Sequence, residues 1–174
     1  EIMPRKDLKA PNQEAIRDEI FSLDRLEQFA AYLAAELRIS PQRRSKRSLL
    51  PGVERDHTIL LDAYRILIQT AEYGHSISPA GEWIIDNFHI IEEQIREIRQ
   101  DLPKAYYDEL PKLAEGELAG FPRVYAIALS LLAHTDSHLE LESVKRFTNS
   151  FQRETPLKIG ELWAFAIHLR IALV

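Results

Sequence analysis

From Trp83 to Leu102 the apolar residues Ile84, Phe88, Ile91, Ile95, Ile98 and Leu102 recur at steps of four, three, four, three and four. That spacing lines one face of an α-helix and has no place in a strand, whose faces alternate every two residues. Both ends are marked. Ser78 offers a side-chain oxygen to an orphan N–H and Pro79 is preset for the first helical turn. Pro103 restrains Leu102 from continuing. A second side, Trp83, Asn87, Ile90 and Gln94, borders the stripe, so this helix is expected to touch more than one neighbour, as the central member of a bundle does.

The same periodicity accounts for most of the chain. Asn12 to Ile39 reads as a first helix with Asn12 as its cap, and Val53 to Tyr73 as a second that Gly74 can close in a left-handed conformation. Between them, residues 39–53 form a loop with a basic run, Arg43, Arg44, Lys46 and Arg47. It reads as a solvated loop, or as a contact for phosphate, anionic lipid or an acidic partner. Residues 103–121 are a Pro/Gly-rich connection holding one short helical piece. Pro122 opens a helix whose core, VYAIALSLL, is apolar nearly all round and is therefore expected in the middle of the fold. Leu139 to Gln152 gives a fifth helix with Leu141, Val144, Phe147 and Phe151 inward. A sixth follows Thr155-Pro156, with Leu162, Trp163, Phe165, Ala166, Leu169 and Leu173 as a wide apolar face. No period-two alternation is long enough for a strand. The expected architecture is all-α, a single helical domain over 1–174 built as an irregular bundle of about six helices, with a helical-repeat array as the alternative.

Composition narrows the function classes. A net charge of −5 argues against a nucleic-acid surface, and the absence of cysteine removes disulfides, thiolate metal sites and a cysteine nucleophile. The run LWAFAIHLRIALV is too short for a bilayer span and contains His168 and Arg170. The chain stops within helical periodicity, which reads as a fragment of something longer.

Four groups of residues are candidates for chemistry. Glu82, Asp86, His89 and Glu93 share a helix face, but the face opposite the apolar stripe, where a solvated surface is the simpler reading. His134 and His138 have the i, i+4 spacing of paired zinc ligands, but Thr135 stands where the metalloprotease pattern needs glutamate. Asn87 and Gln94, one heptad apart, are amides that either tie helices together or read sugar hydroxyls. Tyr106, Tyr107, Phe121, Arg123 and Tyr125 cluster in sequence around the Pro/Gly-rich connection, as a small loop core or as a stacking site for a sugar. Ligand contacts, if any, are therefore assigned to Trp83, Asn87, Gln94, Tyr106, Tyr107, Arg123 and Tyr125. No metal or cofactor is expected. With no glycine-rich phosphate loop, nucleophile elbow or Asp-x-Asp pair, a self-contained active site is not expected either.

Three long ungapped stretches carry a family resemblance: WIIDNFHIIEEQIREIRQDLP (83–103), YYDELPKLAEGELAGFPRVYAIA (106–128) and LKIGELWAFAIHLRIALV (157–174). They are similar to the N-terminal region of the cyclic β-1,2-glucan synthases. That resemblance implies a parent that is a very large inner-membrane glycosyltransferase using UDP-glucose, with this part before the membrane core on the cytoplasmic side. It implies an accessory helical domain whose partner is the remainder of the parent chain. The core's transferase motifs are absent here, so no catalytic residue carries over. A module that contacts β-1,2-glucan directly is the alternative.

Overall fold

The computed structural model describes residues 19–42 and 47–173. Among them are seven helices: α1 (Leu23–Glu36), α2 (Leu50–Glu72), α3 (Pro79–Asp101), α4 (Lys104–Glu109), α5 (Arg123–His134), α6 (Leu141–Glu154) and α7 (Ile159–Leu173). There is no sheet among the described residues, only the isolated bridges Ile39–Leu113 and Lys112–Pro122. The all-α expectation holds. The chain forms two compact units, the larger from α1 and α4–α7, the smaller from α2 and α3.

In the larger unit α5 is the centre, and every residue from Phe121 to Leu132 is buried. An all-round apolar helix has no solvent face to offer, so it must be enclosed. α1 and α6 run side by side in the same direction. Arg146 meets Asp24 and Glu27, each at 2.8 Å, near one end, and Thr155 Oγ1 donates to the carbonyl of Ala34 at 3.1 Å near the other. Between them the Ser150 hydroxyl donates to the carbonyl of Glu27 at 2.7 Å. Phe147 and Phe151 are fully buried, while Leu141, expected inward, is exposed because it is the first helical residue.

The first helix starts later than its periodicity suggested. Ser22 is extended (φ −66°, ψ 162°) and caps Arg25 N–H, so helical geometry begins at Leu23. The Asn12 cap lies outside the described residues, as do Arg43, Arg44 and Lys46. Residues 19–22 instead follow the end of α5: Phe21 N–H donates to His134 O at 3.0 Å and the Phe21 ring stacks on His134 at 3.9 Å.

The smaller unit is an antiparallel helical hairpin. Ser78 caps α3 by accepting from Gly81 N–H at 3.2 Å, with Pro79 in the first turn as the sequence indicated. Gly74 closes the preceding helix at φ +73°. At Gly81 the start of α3 packs closely on the link and on α2: a Cβ there would lie 2.5 Å from Ile77 of the link and 2.9 Å from Leu67 of α2. Tyr64 stacks on Phe88 at 4.2 Å, and at the open end Arg99 binds Glu54 with two 2.6 Å hydrogen bonds. Little else is enclosed. Val53 is the one buried residue of α2, and in α3 only Gly81, Phe88, Ile95 and Ile98 are buried.

Candidate functional site

The connection between α4 and α5 folds back on itself. Arg123 N–H donates to Pro111 O at 2.8 Å and Leu113 N–H to Phe121 O at 2.9 Å. Gly116 and Gly120, both at φ +83°, supply turns that other residues rarely adopt. Arg47, the described member of the basic run, holds this loop. Its guanidinium donates to Glu117 O (2.9 Å) and Ala119 O (3.0 Å) and lies 4.1 Å from the centre of the Phe121 ring. That cation holds the fold, a role that neither the solvated-loop reading nor the anion-contact reading of the basic run foresaw.

The folded loop places Tyr106, Tyr107, Arg123 and Tyr125 in one region with three residues that periodicity did not single out, Lys112, Glu161 and His168. Arg123 is 1% exposed and Glu161 not at all. Their side chains pair through Nε–Oε1 at 2.9 Å and Nη2–Oε2 at 2.7 Å. Glu161 Oε2 also accepts from Lys158 N–H at 3.0 Å, which is half of a capping box, a third-position glutamate reaching back to the residue before the helix. One carboxylate thereby starts α7 and locks it to the start of α5. A bidentate guanidinium–carboxylate pair is the arrangement that tolerates burial best, because each charge keeps directed partners.

Lys112 is the second buried cation. Its ammonium donates to Tyr107 O and, at 2.8 Å, to Leu110 O, covering the carbonyl end of α4. Burial lowers its pKa to about 8, with Asp108 and Glu109 opposing the shift. His168 is fully buried one heptad after Glu161, with Nδ1 2.7 Å from Ala164 O. Burial pushes its pKa down to about 4, against the Ala164 bond and helped by Lys112, so the ring is neutral at pH 7. Arg123 Nη1 and His168 Nε2 are buried without a hydrogen-bond partner among the described residues.

The tyrosines are structural in the same sense. Tyr106 donates to Gly160 O at 2.5 Å, and burial raises its pKa. Tyr107 donates to Arg47 O at 3.2 Å and is buried, and Tyr125 is buried 6.2 Å from the His168 ring. Arg123, Tyr107 and Tyr125 are thus buried, without an exposed face for a sugar to stack on.

The other candidates lie on α3. Trp83 is 56% exposed. The Asn87 amide donates to Trp83 O at 2.8 Å, a bond back into its own helix, and Gln94 is half-buried. The side bearing Trp83 and Ile90 was expected to meet a second helix; both residues are instead exposed. Glu82, Asp86, His89 and Glu93 are all exposed, and the described residues contain no group of three or more His, Asp or Glu suited to a metal ion. His134 and His138 do not pair, because the helix ends between them. Asp136 and Ser137 take positive φ (49° and 59°), His134 turns to Glu19 O at 2.8 Å, and His138 points outward near Glu140 at 3.7 Å.

Periodicity missed Glu161 and His168 because it counted only apolar positions on α7. The available signal was chemical: a charge and a histidine one heptad apart in an apolar helix, with Arg123 at the head of another apolar helix, each needing a partner if buried. Lys112 carried no comparable signal.

Comparison with known proteins adds to this geometry. No protein-family model matches the chain. It is 36% identical over 170 residues to the cyclic beta-(1,2)-glucan synthase NdvB of Rhizobium meliloti (strain 1021), an alignment covering 92% of this chain and 6% of that protein. No helix among the described residues is long and apolar enough to cross a membrane. On that alignment, the chain corresponds to an N-terminal-type segment of the cyclic β-(1,2)-glucan synthase family.

Proposed function

We propose that this segment is a non-catalytic helical domain of a cyclic β-1,2-glucan synthase-type protein, on the cytoplasmic side of the inner membrane, and that it docks against the rest of its parent chain. The parent would be the glycosyltransferase using UDP-glucose. The observation that carries the docking reading is the hairpin. On α2, Ile59 and Ile66 are exposed seven residues apart, with Tyr73 just past the helix end at the same interval, and on α3 Trp83 and Ile90 are exposed at the same interval. Residues seven apart lie along one side of a helix, so each helix presents an apolar line directed away from the hairpin seam. Two helices cannot cover their outer sides with each other, and exposed rows of this kind mark contact surfaces. The buried charges of the larger unit support the non-catalytic part, since Arg123, Glu161 and Lys112 are already bonded to protein atoms.

The test is made in the parent synthase. Ile66→Asp with Trp83→Asp should reduce glucan synthesis and the yield of intact protein, while the isolated 174-residue segment with the same changes keeps its melting curve. Full synthesis by that parent would sink the docking reading, and turnover of UDP-glucose by the isolated segment would sink the non-catalytic one. A second reading, direct contact with β-1,2-glucan, is favoured by one observation, the exposed indole of Trp83 beside Asn87. Saturable shifts of the Trp83 indole N–H on NMR titration with β-1,2-gluco-oligosaccharide would establish it, and a flat signal to millimolar ligand would dismiss it.

A further inference from the structure

α7 has two apolar sides. Ala164, Phe165, Ile167 and Ile171 face inward with Glu161 and His168. The other side carries Ile159, Leu162, Trp163, Ala166 and Leu173, all exposed, with Leu169 and Arg170 half-buried along its edge. The outward residues lie at positions 1, 4, 5, 8, 11, 12 and 15 of the helix, a continuous stripe at the α-helical period. The sole acidic residue of α7, Glu161, is buried on the opposite side, so no carboxylate of this helix stands on the stripe.

The stripe is symmetric about Ala166. Ile159 and Leu173 lie seven residues to either side, Leu162 and Arg170 four, Trp163 and Leu169 three. In an antiparallel helix pair crossing at Ala166, each residue meets the one equally far on the other side. Ile159 then meets Leu173 of the second copy, Trp163 meets Leu169, and Leu162 meets the aliphatic stem of Arg170. A two-fold interface requires this self-complementarity, and the smallest side chain of the stripe stands at the crossing, where backbones come closest. We propose that α7 is a homodimerisation surface, with a second copy of this chain packed antiparallel across Ala166.

The area suffices for a modest dimer. Ile159 and Trp163 are each 76% exposed, Leu173 52% and Leu162 40%. With ordinary side-chain areas that leaves on the order of 500 Å² of apolar surface per copy, hence at most on the order of 1,000 Å² per pair, the size of a weak, concentration-dependent interface. Charge disfavours an anionic lipid surface as the occupant, since the chain carries −5 and Lys158 and Arg170 are the only cations of this stretch. This inference concerns α7 alone and does not rest on the docking reading of the hairpin.

Sedimentation of the 174-residue chain tests it. The expected result is a dimer fraction that grows with concentration from micromolar to millimolar, weakened more than about tenfold by Trp163→Glu. The melting curve of that variant should match wild type, because the side chain it replaces is exposed. Geometry is read from cysteines in this cysteine-free chain with a short bis-maleimide. Ala166→Cys should cross-link to itself. Leu162→Cys mixed with Arg170→Cys should cross-link, and Leu162→Cys alone should not. A monomer at every concentration, a dimer indifferent to Trp163→Glu, or cross-linking of Leu162→Cys alone as strong as the mixture would overturn the proposal.

Discussion

The two compact units solve the same problem to different degrees. In the larger one, α5 is enclosed along its length and the charges that enter its core arrive with partners, Arg123 on Glu161 and Lys112 on two carbonyls. In the hairpin, 46 helical residues of α2 and α3 together bury five side chains or glycines, and the ion pair at its open end, Arg99–Glu54, is about half exposed. A bundle with a central helix can enclose a core. Two helices share one seam and leave most of their outlines to solvent or to a partner. The larger unit is therefore held by packing and buried polar geometry, the hairpin mainly by its seam.

That contrast can be broken first at Arg123. Arg123→Met leaves the Glu161 carboxylate buried without its cation, and unfolding by urea should show a loss of about 3–5 kcal/mol. Adding Glu161→Leu should recover much of that loss, because the uncompensated charge is then gone, less the cap on Lys158 N–H. A small loss in the single variant would mean the pair is not enclosed in solution.

Core truncation gives the next largest difference. Leu131→Ala, at a residue with no exposure, should cost about 2–5 kcal/mol, whereas Ile66→Ala on the hairpin's exposed row should cost within about 0.5 kcal/mol. Equal costs in a matched pair of melts would erase the distinction between the units.

The pH dependence sharpens it, because the buried titrating groups belong to the larger unit. His168 has a folded pKa of about 4, below its ordinary 6.5, so between these values the unfolded chain binds the proton and the folded one does not. Stability should be unaffected by this group above pH 6.5 and fall as pH drops to 4, by about 3 kcal/mol in all. Lys112 has the same sign in another window. Its folded pKa of about 8 lies below 10.5, so stability should rise between pH 8 and 10.5 as the buried ammonium loses its proton. The slope between about pH 5 and 6.5, above the carboxylate range, should disappear in His168→Gln, and its persistence there would assign the loss to other groups.

The smallest effect is expected at the hairpin's ion pair. Glu54→Gln removes the 2.6 Å contacts with Arg99, which hold the Glu54 carboxyl below its usual range, but solvent screens both groups. The cost should be at most about 1 kcal/mol and should shrink in high salt.

Local signals were legible where the physics is local. Ser78-Pro79 starts a helix wherever it lies, since cap and ring act on adjacent backbone, and Gly74 closes one for the same reason. The same logic misplaced the first helix, because Ser22 competes as a cap inside an apparently continuous periodic run. The candidate site was half legible. Aromatic residues and Arg123 around a Pro/Gly connection marked the region, but spacing along one segment cannot reveal that the partner of Arg123 lies 38 residues later. Nor can an i, i+4 histidine pair foretell that the chain takes positive φ between its members.

What the sequence determined by itself was helical class, most element boundaries and the relation to the glucan synthases, because periodicity, caps and long motifs are written in neighbouring residues. Tertiary structure decided the orientation of α7. Its apolar residues surround the axis and give it almost no phase, so only the Glu161–Arg123 pair and the buried His168 set which side faces in. The side carrying Trp163 is left exposed among the described residues, a fact of packing that no local pattern encodes.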